Sequence, residues 1–208
     1  MHQNLNFPAP AAPLRFYAVV PDAQWVARMA AAGADTVQLR NKTLSGAALE
    51  AEIRRSVAVC RDTAVQLFIN DYWEQAIDAG AYGVHLGQED MDSADLAAIA
   101  KAGLRLGIST HSTDELDRAL AVCPSYVACG AVFPTTTKVL KSEPQGLENL
   151  HRYVRQVGNT PVVAIGGIDL DNAQAVLKTG AASLAVVRAV TEAADPEAVV
   201  RRFQALWP

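Results

Sequence analysis

Two rhythms of hydrophobic positions alternate along the chain. Short apolar runs of the length that fills buried strands stand near Phe16–Val20, Thr36–Leu39, Leu67–Ile69, Gly83–Leu86, Leu104–Ile108, Tyr126–Cys129, Val162–Ile165 and Leu184–Val187. Between them, apolar residues at helical spacing predict helices over Ala23–Ala32, Ser45–Arg61, Tyr72–Ala79, Ala94–Ala102, Thr113–Val122, Leu147–Val157, Leu170–Thr179 and Pro196–Leu206. One junction occurs three times, as Gly33-Ala34-Asp35-Thr36-Val37, Gly80-Ala81-Tyr82-Gly83-Val84 and Gly180-Ala181-Ala182-Ser183-Leu184. Each reads as a glycine that ends a helix, a short connector and a strand. Such alternation predicts parallel strands joined by crossover helices, with the chemistry at the strands' carboxyl ends.

The punctuation agrees with this register. Ser112 with Glu115 makes a capping box, Asp92 or Ser93 and Asp169 can cap helix starts, and Gly33, Gly80, Gly103 and Gly180 can end helices. Eight such units in 208 residues predict a single (β/α)8 TIM barrel over residues 14–208. An open doubly wound sheet is the alternative, because strand order alone does not dictate closure. Residues 1–13, with Pro8, Pro10 and Pro13, are expected to form a stiff, extended arm.

Composition narrows the partners. A chain 50% hydrophobic and 19% charged is ordinary for a globular domain. A net charge of −4 argues against nucleic acid or an anionic membrane as partner. No apolar stretch approaches the roughly 20 residues needed to span a bilayer. Cys60, Cys123 and Cys129 have neither paired metal-ligand spacing nor an even number, so reduced thiols in a cytoplasmic protein are expected. The first residues do not resemble a secretory signal. The expected partners are small molecules, with self-association left open.

The strand ends carry the reagents. After the second strand, Gln38, Arg40 and Lys42 alternate and share a face while the chain stays extended. Arg40 supplies a planar fork and Lys42 a mobile charge, which suits a diphosphate, although a charged strand exit into solvent has the same composition. The third strand runs into Asn70-Asp71 and the fourth into Gln88-Glu89-Asp90. Carboxylates on neighbouring strands can face one cation, and Mg²⁺ (magnesium) is commonly held by one or two carboxylates plus phosphate oxygens and waters. Asp71 and Asp90 are the expected ligands, with N-capping of the following helices as the competing role. His85 is either a core histidine or a contact to a substrate ring. Ser109 lies outside a G-x-S-x-G setting, so a hydrogen-bonding role is more economical than a nucleophilic one. Ile165-Gly166-Gly167-Ile168-Asp169 is expected to open a helix and offer backbone amides to an anion. Ala131–Gln145, with three threonines, Lys138 and Lys141, reads either as a phosphate-facing lid or as a solvated loop.

Six of these segments together resemble the thiamine-phosphate synthase family: Gln38-Leu39-Arg40 with Lys42, Ile69-Asn70-Asp71, His85 to Asp90, Ser109-Thr110-His111, Val132 to Lys138, and Ile165 to Ile168. The resemblance runs in family order over nearly the whole chain. It implies a barrel enzyme that joins 4-amino-5-hydroxymethyl-2-methylpyrimidine diphosphate to hydroxyethylthiazole phosphate, giving thiamine monophosphate and pyrophosphate. It further implies that Arg40, Lys42, Asn70 and Lys138 hold the diphosphate and that Asp71 and Asp90 bind Mg²⁺. Gln38 and His85 would contact the pyrimidine, with Ser109 on that ring or its leaving group. Thr135, Thr137 and the Gly167 amide would bind the thiazole phosphate. Lys138, Ser109 and Arg40 are the expected catalytic residues, through stabilisation of the departing diphosphate and orientation of the ring.

One position departs from the pattern. Where the family has a small hydroxyl residue after the eighth strand, this chain has Arg188. It can grip the thiazole phosphate, fill its pocket or turn outward to Glu192, and a retained site with altered phosphate contacts is expected. Two rival functions follow from the same fold. A thiazole tautomerase would have little use for Arg40, Lys42, Asp71 and Asp90, and a non-catalytic barrel could bind thiamine phosphates as a sensor.

Overall fold

A computed structural model describes residues 5–137 and 143–208. Its strands are β1 (Phe16–Val20), β2 (Thr36–Leu39), β3 (Gln66–Asn70), β4 (Gly83–Leu86), β5 (Arg105–Thr110), β6 (Tyr126–Cys129), β7 (Val162–Ile165) and β8 (Ser183–Val186). The helices are α1 (Ala23–Ala31), α2 (Gly46–Cys60), α3 (Trp73–Ala79), α4 (Gln88–Ser93), α5 (Leu96–Lys101), α6 (Thr113–Leu120), α7 (Gly146–Gln156), α8 (Ala173–Leu177), α9 (Arg188–Thr191) and α10 (Pro196–Gln204). Each strand pairs in parallel with the next, and β1 pairs with β8, so the sheet closes into a (β/α)8 barrel. The open doubly wound alternative is excluded by that last pairing.

Strand alternation divides the core in two. On β1, Phe16, Ala18 and Val20 pack outward beneath the helices with Val26, Met29 and Phe203. Tyr17 and Val19 point the other way and join Phe68, Tyr126, Ala128, Val163 and Ala185 inside the barrel. The Tyr126 ring stands edge-on to two others, with centroids 5.1 Å apart for Phe68 and Tyr126 and 5.9 Å for Tyr17 and Tyr126. Gly107, opposite Tyr126 in the β5–β6 register, makes this possible. A Cβ at Gly107 would lie 2.1 Å from the Tyr126 ring.

The amino-terminal end of the barrel is sealed by residues 7–12. Phe7 is buried, the Pro8 carbonyl accepts from Ser125 Oγ at 2.7 Å, the Ala11 amide donates to Tyr82 Oη at 2.7 Å, and Ala12 O accepts from Gln66 Nε2 at 3.2 Å. These partners stand at the starts of β6, β4 and β3, so the barrel's free opening lies at the other end.

The predicted elements appear with small shifts at their ends, and the caps differ in instructive ways. Ser112 caps α6 by accepting from the Glu115 amide, but the Glu115 carboxylate returns to the amide and imidazole of His111. Neither Asp92 nor Ser93 caps the fifth helix. Both belong to a separate short helix, α4, and Asp95 caps α5 through the Ala98 amide. Gly33, Gly80, Gly103 and Gly180 all take left-handed backbone after helices, as their positions require. Among the described residues, no helix is long and apolar enough to cross a membrane.

Candidate active site

A cavity of about 630 Å³ opens at the carboxyl ends of the strands. It brings together Gln38, Arg40, Lys42, Asn70, Asp71, His85, Asp90, Ser109, Thr135, Thr137, Gly167 and Arg188, which are all the site residues expected from sequence except one. The exception, Lys138, lies outside the described residues.

The corner at β2, β3 and β4 is built from charge. The loop after β2 is locked by Asn41, whose Nδ2 donates to the Pro21 carbonyl while Oδ1 accepts from the amides of Thr43 and Leu44. That fixes the exit from which Arg40 and Lys42 project. Lys42 Nζ meets the Asp71 carboxylate, and Arg40, half-buried, has no ion pair among the described residues. Asp71 adopts a left-handed backbone with φ of 66°, which an aspartate tolerates better than most side chains. Its side chain does not cap α3, whose N-cap is Tyr72 without a side-chain bond. Asp90 sits in the first turn of α4. Burial pushes the Asp90 carboxyl above the usual carboxylate range, and the charge of neighbouring Asp71 adds to the effect. Two hard oxygen donors that repel each other in a half-buried corner fit a divalent cation better than they fit each other. Among the described residues no group of three or more acidic, histidine or cysteine side chains is assembled for a metal. A two-carboxylate site suits Mg²⁺ completed by phosphate oxygens and water, and not a closed protein cage.

The centre is a floor of neutral hydrogen bonds. Gln38 Nε2 donates to Tyr17 Oη at 3.0 Å, Tyr17 Oη meets Tyr126 Oη at 2.7 Å, and Tyr126 Oη meets His85 Nδ1 at 2.8 Å. His85 Nε2 then meets Ser109 Oγ at 2.8 Å. Five side chains from β1, β2, β4, β5 and β6 thus form one continuous chain. Burial lifts both tyrosine hydroxyls above their ordinary range, so they stay protonated. Sequence reasoning found Gln38, His85 and Ser109 but missed Tyr17 and Tyr126. The available signal was the inward parity of Tyr17 on β1 and the glycine facing Tyr126 on β5.

The corner at β6, β7 and β8 is built from backbone. The loop after β6 is stitched to the end of β7, with Val132 N donating to Ile165 O at 2.9 Å and Phe133 N to Gly166 O at 3.0 Å. A Cβ at Gly167, where φ is 65°, would lie 2.6 Å from the Pro134 carbonyl oxygen. Only glycine lets these two loops close on each other. Thr135 Oγ1 accepts from the Thr137 amide at 3.2 Å, folding the two threonines into a turn. The far root of this loop is held where Gln145 N donates to Ala131 O at 2.7 Å. The expectation that Gly166-Gly167 opens a helix fails. An Asx turn closed by Asp169 and Asn172 intervenes, α8 begins only at Ala173, and any anion there meets loop amides and not a helix terminus.

Arg188 is the first residue of α9 and lines the cavity. Its Nη1 stands 3.9 Å from Glu192 Oε2, too far for a hydrogen bond, with the side chains 44% and 64% exposed. So open a pair holds the guanidinium weakly.

Comparison with known proteins covers the whole barrel. Residues 16–190 match the family model described as thiamine monophosphate synthase. The chain is 69% identical to the thiamine-phosphate synthase of Neisseria meningitidis serogroup B, covering 98% of this chain and 99% of that one. It is 52% identical to that of Serratia proteamaculans over 92% of both chains. Among solved structures, the thiamine phosphate pyrophosphorylase of Pyrococcus furiosus superposes with a TM-score of 0.84 at 32% identity, covering 93% of this chain and 95% of that one.

Proposed function

The chain belongs to the thiamine monophosphate synthase family and is a transferase that condenses 4-amino-5-hydroxymethyl-2-methylpyrimidine diphosphate with hydroxyethylthiazole phosphate, and we propose that its two unlike anion corners divide the two substrates. The observation that carries the division is the cavity's layout. One corner pairs carboxylates with cations, the opposite corner offers hydroxyls and backbone, and neutral donors lie between them.

In this reading Arg40, Lys42 and Asn70 hold the diphosphate, joined by Lys138. Asp71 and Asp90 would hold Mg²⁺, which supplies charge neutralisation to the departing pyrophosphate. Arg40 contributes a two-pronged grip on phosphate oxygens, and with no ion pair among the described residues its fork is available. Gln38, His85 and Ser109 orient the aminopyrimidine over the tyrosine floor. Thr135, Thr137, the Gly167 amide and Arg188 take the thiazole phosphate, pointing the thiazole nitrogen at the pyrimidine's methylene carbon. The aminopyrimidine can release electrons into that carbon, so diphosphate departs before the nitrogen attacks and no protein nucleophile is needed. The apolar interior, with Val19, Ala128 and Val163, keeps water from the electron-poor carbon. We place the reaction in the cytoplasm, a setting supported by three free cysteines.

Purified protein given both substrates and Mg²⁺ should release pyrophosphate, and excess EDTA should abolish the release. Full activity in EDTA would remove the metal assignment. Binding without turnover would favour a sensor, and isomerisation of the thiazole alone a tautomerase. An electron-withdrawing substituent on the pyrimidine methyl should slow single turnover, and an unchanged rate would exclude early departure of the diphosphate.

A further inference from the structure

The buried chain from Gln38 to Ser109 has a direction. Tyr17 and Tyr126 are 1% and 0% exposed, so each hydroxyl hydrogen must find an acceptor inside the barrel. Gln38 donates its amide hydrogen to Tyr17 Oη, which leaves Tyr126 Oη, at 2.7 Å, as the acceptor for the Tyr17 hydrogen. Tyr126, having accepted, must donate onward to His85 Nδ1 at 2.8 Å. A ring nitrogen that accepts carries no hydrogen. The neutral imidazole therefore keeps its hydrogen on Nε2 and gives it to Ser109 Oγ at 2.8 Å. Ser109 Oγ has no other hydrogen-bond partner among the described residues, so its own hydrogen is left for the cavity it lines.

We propose that Tyr17 and Tyr126 are positioning residues that lock His85 as the neutral Nε2–H tautomer, so that the Ser109 hydroxyl is a fixed donor toward an acceptor atom of the aminopyrimidine ring. The proposal rests on the division of substrates above for the identity of that ring, but the lock itself is a property of the protein alone. It gives the site a preference. A ring with an acceptor facing Ser109 is matched, whereas a donor there would confront a second donor. The high proton affinity that burial gives both phenols keeps the chain from losing a hydrogen midway.

Nitrogen-15 NMR of histidine-labelled protein reads the tautomer, because protonated and bare ring nitrogens resonate far apart. His85 is identified as the signal missing from His85→Gln or, should that variant not fold, by elimination among the four histidines. The wild type should show His85 wholly as Nε2–H. Tyr126→Phe, which keeps the ring against Phe68, should mix the two tautomers. It should also lower kcat/KM for the pyrimidine diphosphate about tenfold, leaving the KM for the thiazole phosphate in place. Tyr17→Phe should move both readouts less, in the same direction. An Nδ1–H wild type would overturn the proposal, as would a Tyr126→Phe protein that melts earlier but keeps its tautomer and kinetics. Because the tautomer is read without substrate, a failure of the catalytic reading would appear separately, as missing pyrophosphate release beside an intact lock.

Discussion

In the proposed division of substrates, the two ends of the cavity would hold their anions by different means. At β2 to β4 the work falls on side chains that carry formal charge: Arg40, Lys42, Asp71 and Asp90. At β6 to β8 it falls on a turn of two threonines, a glycine amide and one loosely held arginine. The first corner is assembled from parts whose chemistry is intrinsic, so each can be replaced and its charge missed. The second is assembled from close backbone approach, so its weak point is shape. A leaving group that gains charge calls for the first kind, and a phosphate that only needs to be held in place is served by the second.

The largest expected effect breaks the charged corner. Asp90→Asn should cut pyrophosphate release by roughly 10³-fold, ~4 kcal/mol of transition-state stabilisation, with the Mg²⁺ concentration for half-maximal rate raised. A saturable Mg²⁺ dependence unchanged from wild type would sink the ligand assignment. Gly167→Ala attacks the other corner through shape alone. Its Cβ would meet the Pro134 carbonyl oxygen at 2.6 Å and its backbone would be strained at φ of 65°, so the loops must part. The KM for the thiazole phosphate should rise on the order of tenfold or more, with the KM for the pyrimidine diphosphate nearly unchanged. Equal changes in both constants would mean that the two corners are not independent.

A smaller effect sharpens the contrast. Arg188→Ser should raise the KM for the thiazole phosphate about fivefold, as expected for losing a half-exposed charged contact worth ~1 kcal/mol. A lower KM would show instead that the arginine crowds the pocket. The smallest effect lies away from both corners. Asp195 caps α10 through the Ala198 amide at 2.8 Å. Asp195→Ala should cost about 1 kcal/mol, lowering Tm by about 2–4 °C in a domain this size. Both KM values should stay where they are, and a shift in either would show that stability alone leaks into the comparison.

The charged corner was legible because it sits at strand ends. Once the short apolar runs located β2, β3 and β4, the residues just beyond them could be read off, and their types suggested their chemistry. The backbone corner was legible only in part. Gly166-Gly167 marked a close approach, but the approaching partner, the loop at Phe133-Pro134, and the Asx turn before α8 depend on how two separate loops meet. The cap of the fifth helix was misassigned for a related reason. Asp92 and Ser93 stand just before that helix in sequence, but α4 takes up both, so the cap falls to Asp95.

By itself the sequence determined the order of strands and helices, the shared face of Gln38, Arg40 and Lys42, and the residue types at each strand end. These are local properties, governed by backbone period and side-chain type. Tertiary structure alone decided that β8 closes on β1, that Gly167 abuts Pro134, and that Tyr17 meets Tyr126 across 109 residues to join Gln38 to His85. A hydrogen bond between two buried hydroxyls has no local signature. It exists because packing excludes water from the barrel and leaves the two hydroxyls to be satisfied by each other and by the Gln38 and His85 side chains beside them.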